Sequence, residues 1–270
     1  MNSPTIFISV FLMACAARVN GQQCPSHSDS QCNASKAEQR IFYLLNQERE
    51  LAGLRKLEWN KQAAEAARAH ASLLAEHEAL SHQFAGESPL RDRLAAAEVR
   101  FTSAAENVAL ADNEDEAHLA LMYSSGHREN ILNKNYSAVG VGAVEHNGRL
   151  YVTQDFVRLV PVYSEEQFQD ALTKALNSAR QTEGKTPMLV KKDTSLHQAA
   201  CSSDGRHLGM PFAASFSGEL VAFTLSEPEQ LPAEFLKRAS SARLIKLGVC
   251  FRPDRQYGNG NFWIVAALGR

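Results

Sequence analysis

The sequence predicts an α+β fold built as two successive units. Apolar residues first recur at helical spacing, over roughly positions 41 to 123, and then give way to two β-rich runs, Ala138–Val144 and Arg149–Val157. The same order begins again beyond Pro161, where Ser164-Glu165-Glu166-Gln167 is a second helix-opening signal. Composition agrees, since 44% hydrophobic and 21% charged residues in 270 belong to an ordinary globular chain able to bury a core. Lys and Arg number 28 against 30 Asp and Glu, a net charge of −2, so bulk electrostatics draws the chain neither to nucleic acid nor to an anionic membrane.

The N-terminal stretch Ile6–Ala17 is apolar for about 12 residues, too short for a bilayer span and suited to the core of an export signal. Cleavage after Gly21 makes 1–21 a signal peptide. Leu12-Met13-Ala14-Cys15 also resembles a lipobox, which makes lipidation at Cys15 the alternative. Either way the mature chain is expected outside the cytoplasm, extracellular or periplasmic, with no transmembrane segment once the signal is removed. Residues 22–35 are polar and Ser-rich and read as a linker.

Ser35-Lys36-Ala37-Glu38 is a capping box, and the helix it opens carries Ile41, Leu44 and Leu45 until Gly53 stops it. Asn60 caps a second helix, rich in alanine (Ala63, Ala64, Ala66, Ala67), which allows close packing. Ser88-Pro89 starts a third, and Asp112 or Asp115 a fourth that runs to about Tyr123. Asn147-Gly148 then joins the two β-rich runs as a hairpin turn.

The second half echoes the first. Asn46-x-x-Arg49-x-x-x-Gly53 recurs as Asn177-x-x-Arg180-x-x-x-Gly184, and Ala66-Ala67 finds Ala199-Ala200. Val139-Gly140-Val141 followed by Tyr151-Val152 corresponds to Leu247-Gly248-Val249 followed by Phe262-Trp263. These landmarks indicate an internal duplication whose second copy is shortened, with domains at 36–160 and 161–270. Asn46 and Arg49 recur without any counterpart of the site residues discussed below, which marks them as scaffold.

Setting Cys15 aside, the cysteines number four, an even count that fits oxidised pairs in an exported chain. Of the three connectivities, Cys24–Cys32 and Cys201–Cys250 are favoured. The first pair closes a loop in the linker, and the second ties the end of an Ala-rich helix to the strand after Gly248.

Several chemistries are excluded. In His77-Glu78-Ala79-Leu80-Ser81-His82 the histidines are five apart, which turns them about 140° from one another and rules out a zincin helix. His70 and His77, two helical turns apart, read as a solvated face. No Gly-x-Ser-x-Gly, phosphate-binding loop or dinucleotide glycine pattern occurs.

Six ordered motifs remain: Leu44–Arg49, Ser81-His82, Glu106-Asn107-Val108-Ala109, Ser124–Leu132 with its Gly126-His127-Arg128, Val139–Gly142 and Tyr151–Phe156. Together these resemble the CAP superfamily, the cysteine-rich secretory, antigen 5 and pathogenesis-related proteins, and within it the bacterial SCP-like branch. The resemblance implies a CAP-type α-β-α sandwich over about 36–158, followed by a shortened, degenerate CAP-like α+β domain, and an exported protein. It also implies a cleft formed by His82, Glu106 and His127, able to hold a divalent metal such as zinc, with the alternative that Glu106 simply orients the histidines in a polar network. Ala105 stands where the family has Gly, and no residue matches its second Glu. Asn107 and Asn130 are expected to cap local turns or to bond the chain near the cleft, and Arg128 to pair with a carboxylate. The implied function is non-enzymatic binding of a small or lipid-like ligand, or of a cell-envelope partner. The alternative is a metal-dependent, peptidase-like hydrolase using His82, Glu106 and His127.

Overall fold

The structure, a computed structural model, describes residues 34–202, 218–253 and 260–269. The expected signal peptide, most of the linker, Cys15 and the Cys24–Cys32 pair lie outside the described residues.

Helix α1 (Lys36–Leu51) begins as its capping box dictates: Glu38 N–H donates to Ser35 Oγ at 3.2 Å, and Ser35 N–H donates back to Glu38 Oε2 at 2.8 Å. Gly53, at φ 69°, then turns the chain. A two-residue strand, β1 (Glu58–Trp59), precedes α2 (Lys61–His77), where Asn60 Oδ1 accepts from Ala63 N–H at 2.8 Å. Short helix α3 (Leu90–Ala96) follows Pro89, and the chain then extends into β2 (Phe101–Ala111). Helix α4 (Glu114–Tyr123) is capped by Asn113, between the two aspartates that the sequence offered as its start. Helix α5 (Ser125–Ile131) leads to β3 (Ala138–His146) and β4 (Arg149–Leu159). Asn147 and Gly148 join these strands at φ 50° and 69°, both in the left-handed region that a tight hairpin turn requires.

The sheet order is β1-β3-β4-β2, with β1 parallel to β3 and the other pairs antiparallel. Helices cover both faces. Ile41 and Leu45 of α1, Leu121 of α4 and Ile131 of α5 pack on Val139, Val141, Val152 and Phe156. On the other face, Ala63 of α2 and Leu94 of α3 pack on Ala138 and Val157. Glycine sets how closely α2 approaches the sheet: a Cβ on Gly140 would stand 2.1 Å from the Ala63 carbonyl carbon, and one on Gly142 2.4 Å from that of Ala67. The Ala-rich sequence of α2 and the glycines of β3 are two halves of one contact.

Beyond Pro161 come α6 (Glu165–Thr182), β5 (Leu189–Lys192), α7 (Thr194–Ser202), β6 (Glu219–Leu225), α8 (Ala233–Ala239), β7 (Leu244–Arg252) and β8 (Asn261–Gly269). They form a second sheet of order β5-β7-β8-β6, with β5 parallel to β7 and the rest antiparallel. Phe168 and Leu172 of α6 and Phe235 of α8 cover one face, over Leu247, Val249 and Phe262. Leu196 and Ala199 of α7 cover the other, against Cys250 and Val265. A Cβ on Gly248 would lie 2.0 Å from the Leu196 carbonyl carbon, so α7 sits on β7 as α2 sits on β3.

The recurring Asn and Arg make matching contacts. Asn46 bonds both backbone groups of Leu57, at 3.1 and 2.7 Å, and Asn177 those of Met188, at 3.5 and 2.9 Å. Arg49 donates to the carbonyls of Arg55, Ile131 and Asn133, and Arg180 to those of Thr186, Ala239 and Ser240. Cys201 and Cys250 form the expected disulfide, with Cα atoms 5.2 Å apart. Among the described residues, no helix is long and apolar enough to cross a membrane.

Candidate functional site

Glu106 sits on β2, an edge strand, with its side chain toward α2 and only 3% exposed. The segment after α2 folds back over it. His82, 62% exposed, sets its Nδ1 at 2.9 Å from Glu106 Oε1, so the structure brings together the first two residues of the expected cleft.

The other oxygen of Glu106 takes a guanidinium. Arg93, on α3 and 8% exposed, donates from Nη2 to Glu106 Oε2 and from Nη1 to Glu87 Oε1 at 2.6 Å. Glu87 in turn lies 2.6 Å from His70 Nδ1, and its Oε2 accepts from Phe84 N–H at 2.9 Å. Burial alone would push the Glu87 carboxyl up, but the Phe84 amide, His70 and the Arg93 charge outweigh it and hold its pKa below the ordinary range. His70 is fully buried, its Nε2 at 2.9 Å from the Ser81 carbonyl, which pins the residue next to His82. This corrects the expectation of a solvated face: only His77 is exposed, stacked on Phe84 with ring centroids 4.2 Å apart.

Asp155 of β4 stands opposite Glu106 in the strand ladder and is completely buried. Neither of its carboxyl oxygens has a hydrogen-bond partner. Burial first, and then the Glu106 charge, push its pKa well up, and Arg93 offsets only part of this.

His127, half-buried on α5, is placed by asparagines. Asn107 Nδ2 donates to the His127 carbonyl and to Gln154 Oε1, each at 3.1 Å, while Asn130 Nδ2 donates to Asn107 Oδ1 at 2.9 Å. Burial, and after it the charge of His82, lower the His127 pKa. Arg128, expected to meet a carboxylate, instead donates to the Met122 carbonyl at 2.9 Å and clamps the turn between α4 and α5.

His70, Glu87 and Arg93 thus belong to the site although no motif pointed to them, and Asp155 joins them from within the Tyr151–Phe156 motif, where nothing singled it out. As folded, the donor set does not fit a divalent ion: one Glu106 oxygen is on His82, the other on Arg93, and Glu87 is committed to Arg93, His70 and the Phe84 amide. A guanidinium already holds the position between the acids where a cation would be stabilised. Among the described residues, the group of His, Cys, Asp or Glu that gathers three ligand atoms within 4.8 Å lies elsewhere, at Glu165, Cys201 and Cys250.

Helices on both faces of a mixed sheet, with a His-Glu pair at its edge and a second His on the following short helix, define a CAP-type domain. The family model described as "CAP: Cysteine-rich secretory protein family" matches residues 42–156. The similarity to the CAP superfamily lies in this segment, which is less than half of the chain. It is 36% identical over 123 residues to the uncharacterized membrane protein YlbC of Bacillus subtilis (strain 168), covering 45% of this chain and 34% of that protein. It is 29% identical over 145 residues to the uncharacterized protein YkwD of the same organism, covering 53% and 56%. The chain therefore spans about a third and about half of the length of these relatives. Among solved structures, an extracellular SCP-domain protein from Bacillus anthracis str. Ames matches at 34% identity and TM-score 0.41, covering 45% of this chain and 40% of that one.

Proposed function

We propose that this is an exported CAP-domain binding protein whose His82–His127 cleft receives a small or lipid-like ligand, or a group on a cell-envelope partner, without catalysis. The carrying observation is that Arg93 bridges Glu106 and Glu87 from within, holding an oxygen of each. What the cleft turns outward is then imidazole, from exposed His82 and half-buried His127, over a base with no carboxylate left for general-base work. Export is supported by the apolar leader and by a disulfide, which persists in oxidising compartments. We read residues 161–270 as a shortened copy of the first unit, supported by the shared strand order and by the matching contacts of Asn177 and Arg180.

The competing reading, a zinc hydrolase on His82, Glu106 and His127, requires zinc to displace Arg93 from Glu106. Elemental analysis of the oxidised full chain, beside its His82→Ala variant, separates the two. The binding reading expects no stoichiometric zinc in either, and saturable uptake of fluorescent fatty-acid or sterol probes, or of envelope fragments, that His82→Ala and His127→Ala weaken. One zinc per chain, lost in His82→Ala together with a chelator-sensitive peptidase activity, would reverse the assignment.

A further inference from the structure

The shortened copy holds a cluster that the binding reading does not use. Cys201 closes α7, and His197 stands one turn earlier on the same face, four residues back. The close seat of α7 on Gly248 brings both against β7. There His197 Nδ1 lies 2.7 Å from the Val249 carbonyl. That hydrogen bond places the ring's proton on Nδ1 and leaves the Nε2 lone pair aimed at Cys201 Sγ, 3.6 Å away. Cys250 follows Val249 on the strand. Glu165, at the first turn of α6, accepts from Phe251 N–H through Oε1 at 2.7 Å and keeps Oε2 on the His197 side, 3.8 Å from Nδ1. The Glu165 carboxylate and both sulfurs fall within 4.8 Å of one another.

We propose that the Cys201–Cys250 disulfide covers a latent zinc site, and that reducing it frees two thiolates beside the Glu165 carboxylate, with His197 Nε2, near Cys201 Sγ but outside the group those three form, moving in as the fourth ligand. Two sulfurs that are no longer bonded move apart to about 3.7 Å, which is also their spacing on a tetrahedral zinc with Zn–S bonds of about 2.3 Å. Sulfur and nitrogen on the same ion stand about 3.5 Å apart, and Cys201 Sγ and His197 Nε2 already lie at 3.6 Å. The Val249 carbonyl is the outer partner that fixes the ring tautomer and orientation of a ligating histidine. A cleft of about 240 Å³ lined by Glu165, Thr194 and His197 gives the ion its approach.

The chemistry balances with a dithiol as reductant. It donates two electrons and two protons, the Cys201–Cys250 bond breaks to two thiols, and the reductant closes its own disulfide. Zinc then displaces the two thiol protons to solvent. Reoxidation by a disulfide reverses the sequence and expels the ion, because neither sulfur of a disulfide ligates as a thiolate. The second unit thus holds either a cross-link or a metal, according to redox state.

Cobalt(II) is the direct probe, added to the full chain carrying Cys24→Ser and Cys32→Ser and reduced with a phosphine. One equivalent is expected to give the thiolate charge-transfer and red d–d bands of tetrahedral cobalt, with zinc bleaching them stoichiometrically. The oxidised chain should give none, Cys201→Ser should abolish the bands, and His197→Ala should weaken the site at least tenfold. If the reduced chain loses structure without metal, zinc is expected to restore its circular dichroism and to shield Cys201 and Cys250 from alkylation. No tetrahedral spectrum, an undiminished site in His197→Ala, or a reduced chain that zinc neither refolds nor protects would each overturn the proposal.

Discussion

Asp155 faces Glu106 across the β2–β4 ladder with no solvent exposure and no hydrogen-bond partner on either oxygen, so the two carboxyls cannot both be charged without large cost. Asp155 is the one whose pKa burial and the Glu106 charge push well up. An acid whose folded pKa is raised holds its proton in the native state at pH values where the unfolded chain has lost it. Its contribution to stability therefore falls as pH rises from the unfolded value, about 3.9, toward the raised folded value. Asp155→Asn mimics the protonated form and removes this dependence. Thermal melts should show the variant a few degrees more stable than the parent at pH 8, with the gap closing toward pH 4; a variant less stable at pH 8 contradicts a protonated Asp155.

Arg93 has the opposite sense, because it is the counter-charge for two buried acids. Arg93→Met leaves Glu87 and Glu106 without their shared guanidinium, at a cost of about 3–5 kcal/mol at pH 7. At pH 4 the loss should shrink, since the freed carboxyls can take protons. Adding Glu106→Gln should recover part of the stability, and urea titrations of the three variants at both pH values read the effect. If the single variant also gains zinc at His82 and Glu106 in the oxidised chain, Arg93 is the group that keeps metal out.

The elements whose signals are local were legible in the sequence. The Ser35 and Ser164 capping boxes, the Asn60 cap and the Asn147-Gly148 turn each depend on residues within three or four positions. The recurrence of Asn46 and Arg49 was legible because each copy repeats a local spacing, and it also led to the disulfide partners. Strand β2 was not, since Ala104-Ala105-Glu106-Asn107 has little β preference and is held extended by its pairing with β4. Nor were Glu87, Arg93 and His70, whose roles arise only when the segment after α2 folds back and sets the three side chains against one another. His70 and His77 share a helical face, yet that segment covers the first and leaves the second in water, which no period can report.

Helix-on-sheet contact through glycine makes a sharp contrast within the first unit. Gly140→Ala drives a Cβ into the α2 backbone, which has no side chain to swing aside, and should cost at least about 3 kcal/mol. Gly248→Ala should do the same to the second unit. Gly126, next to His127 in α5, meets nothing within 4 Å, and Gly126→Ala should stabilise by about 0.5–1 kcal/mol through helix propensity. Chemical denaturation of the three variants tests the ordering. A Gly140→Ala variant as stable as the parent shows that α2 rides further from the sheet than described here.

Arg49 is 1% exposed and has no carboxylate partner among the described residues; burial lowers its pKa, and three carbonyls accept its hydrogen bonds. Two of those carbonyls, of Ile131 and Asn133, lie at and just beyond the end of α5, where the helix dipole is negative and favours a cation. The guanidinium therefore binds the C-terminal ends of α1 and α5 together, and the requirement is for a planar fork rather than for charge alone. Arg180 repeats the arrangement with longer bonds, 3.1 to 3.3 Å against 2.7 to 2.9 Å, and is less buried. Arg49→Ala should cost about 3–5 kcal/mol and Arg180→Ala about 1–2 kcal/mol. Arg49→Lys should recover little of its loss, because one ammonium cannot reach the Arg55 carbonyl on one side and the α5 end on the other. Equilibrium unfolding of the three variants decides, and full rescue by lysine would show that charge alone is what the site needs.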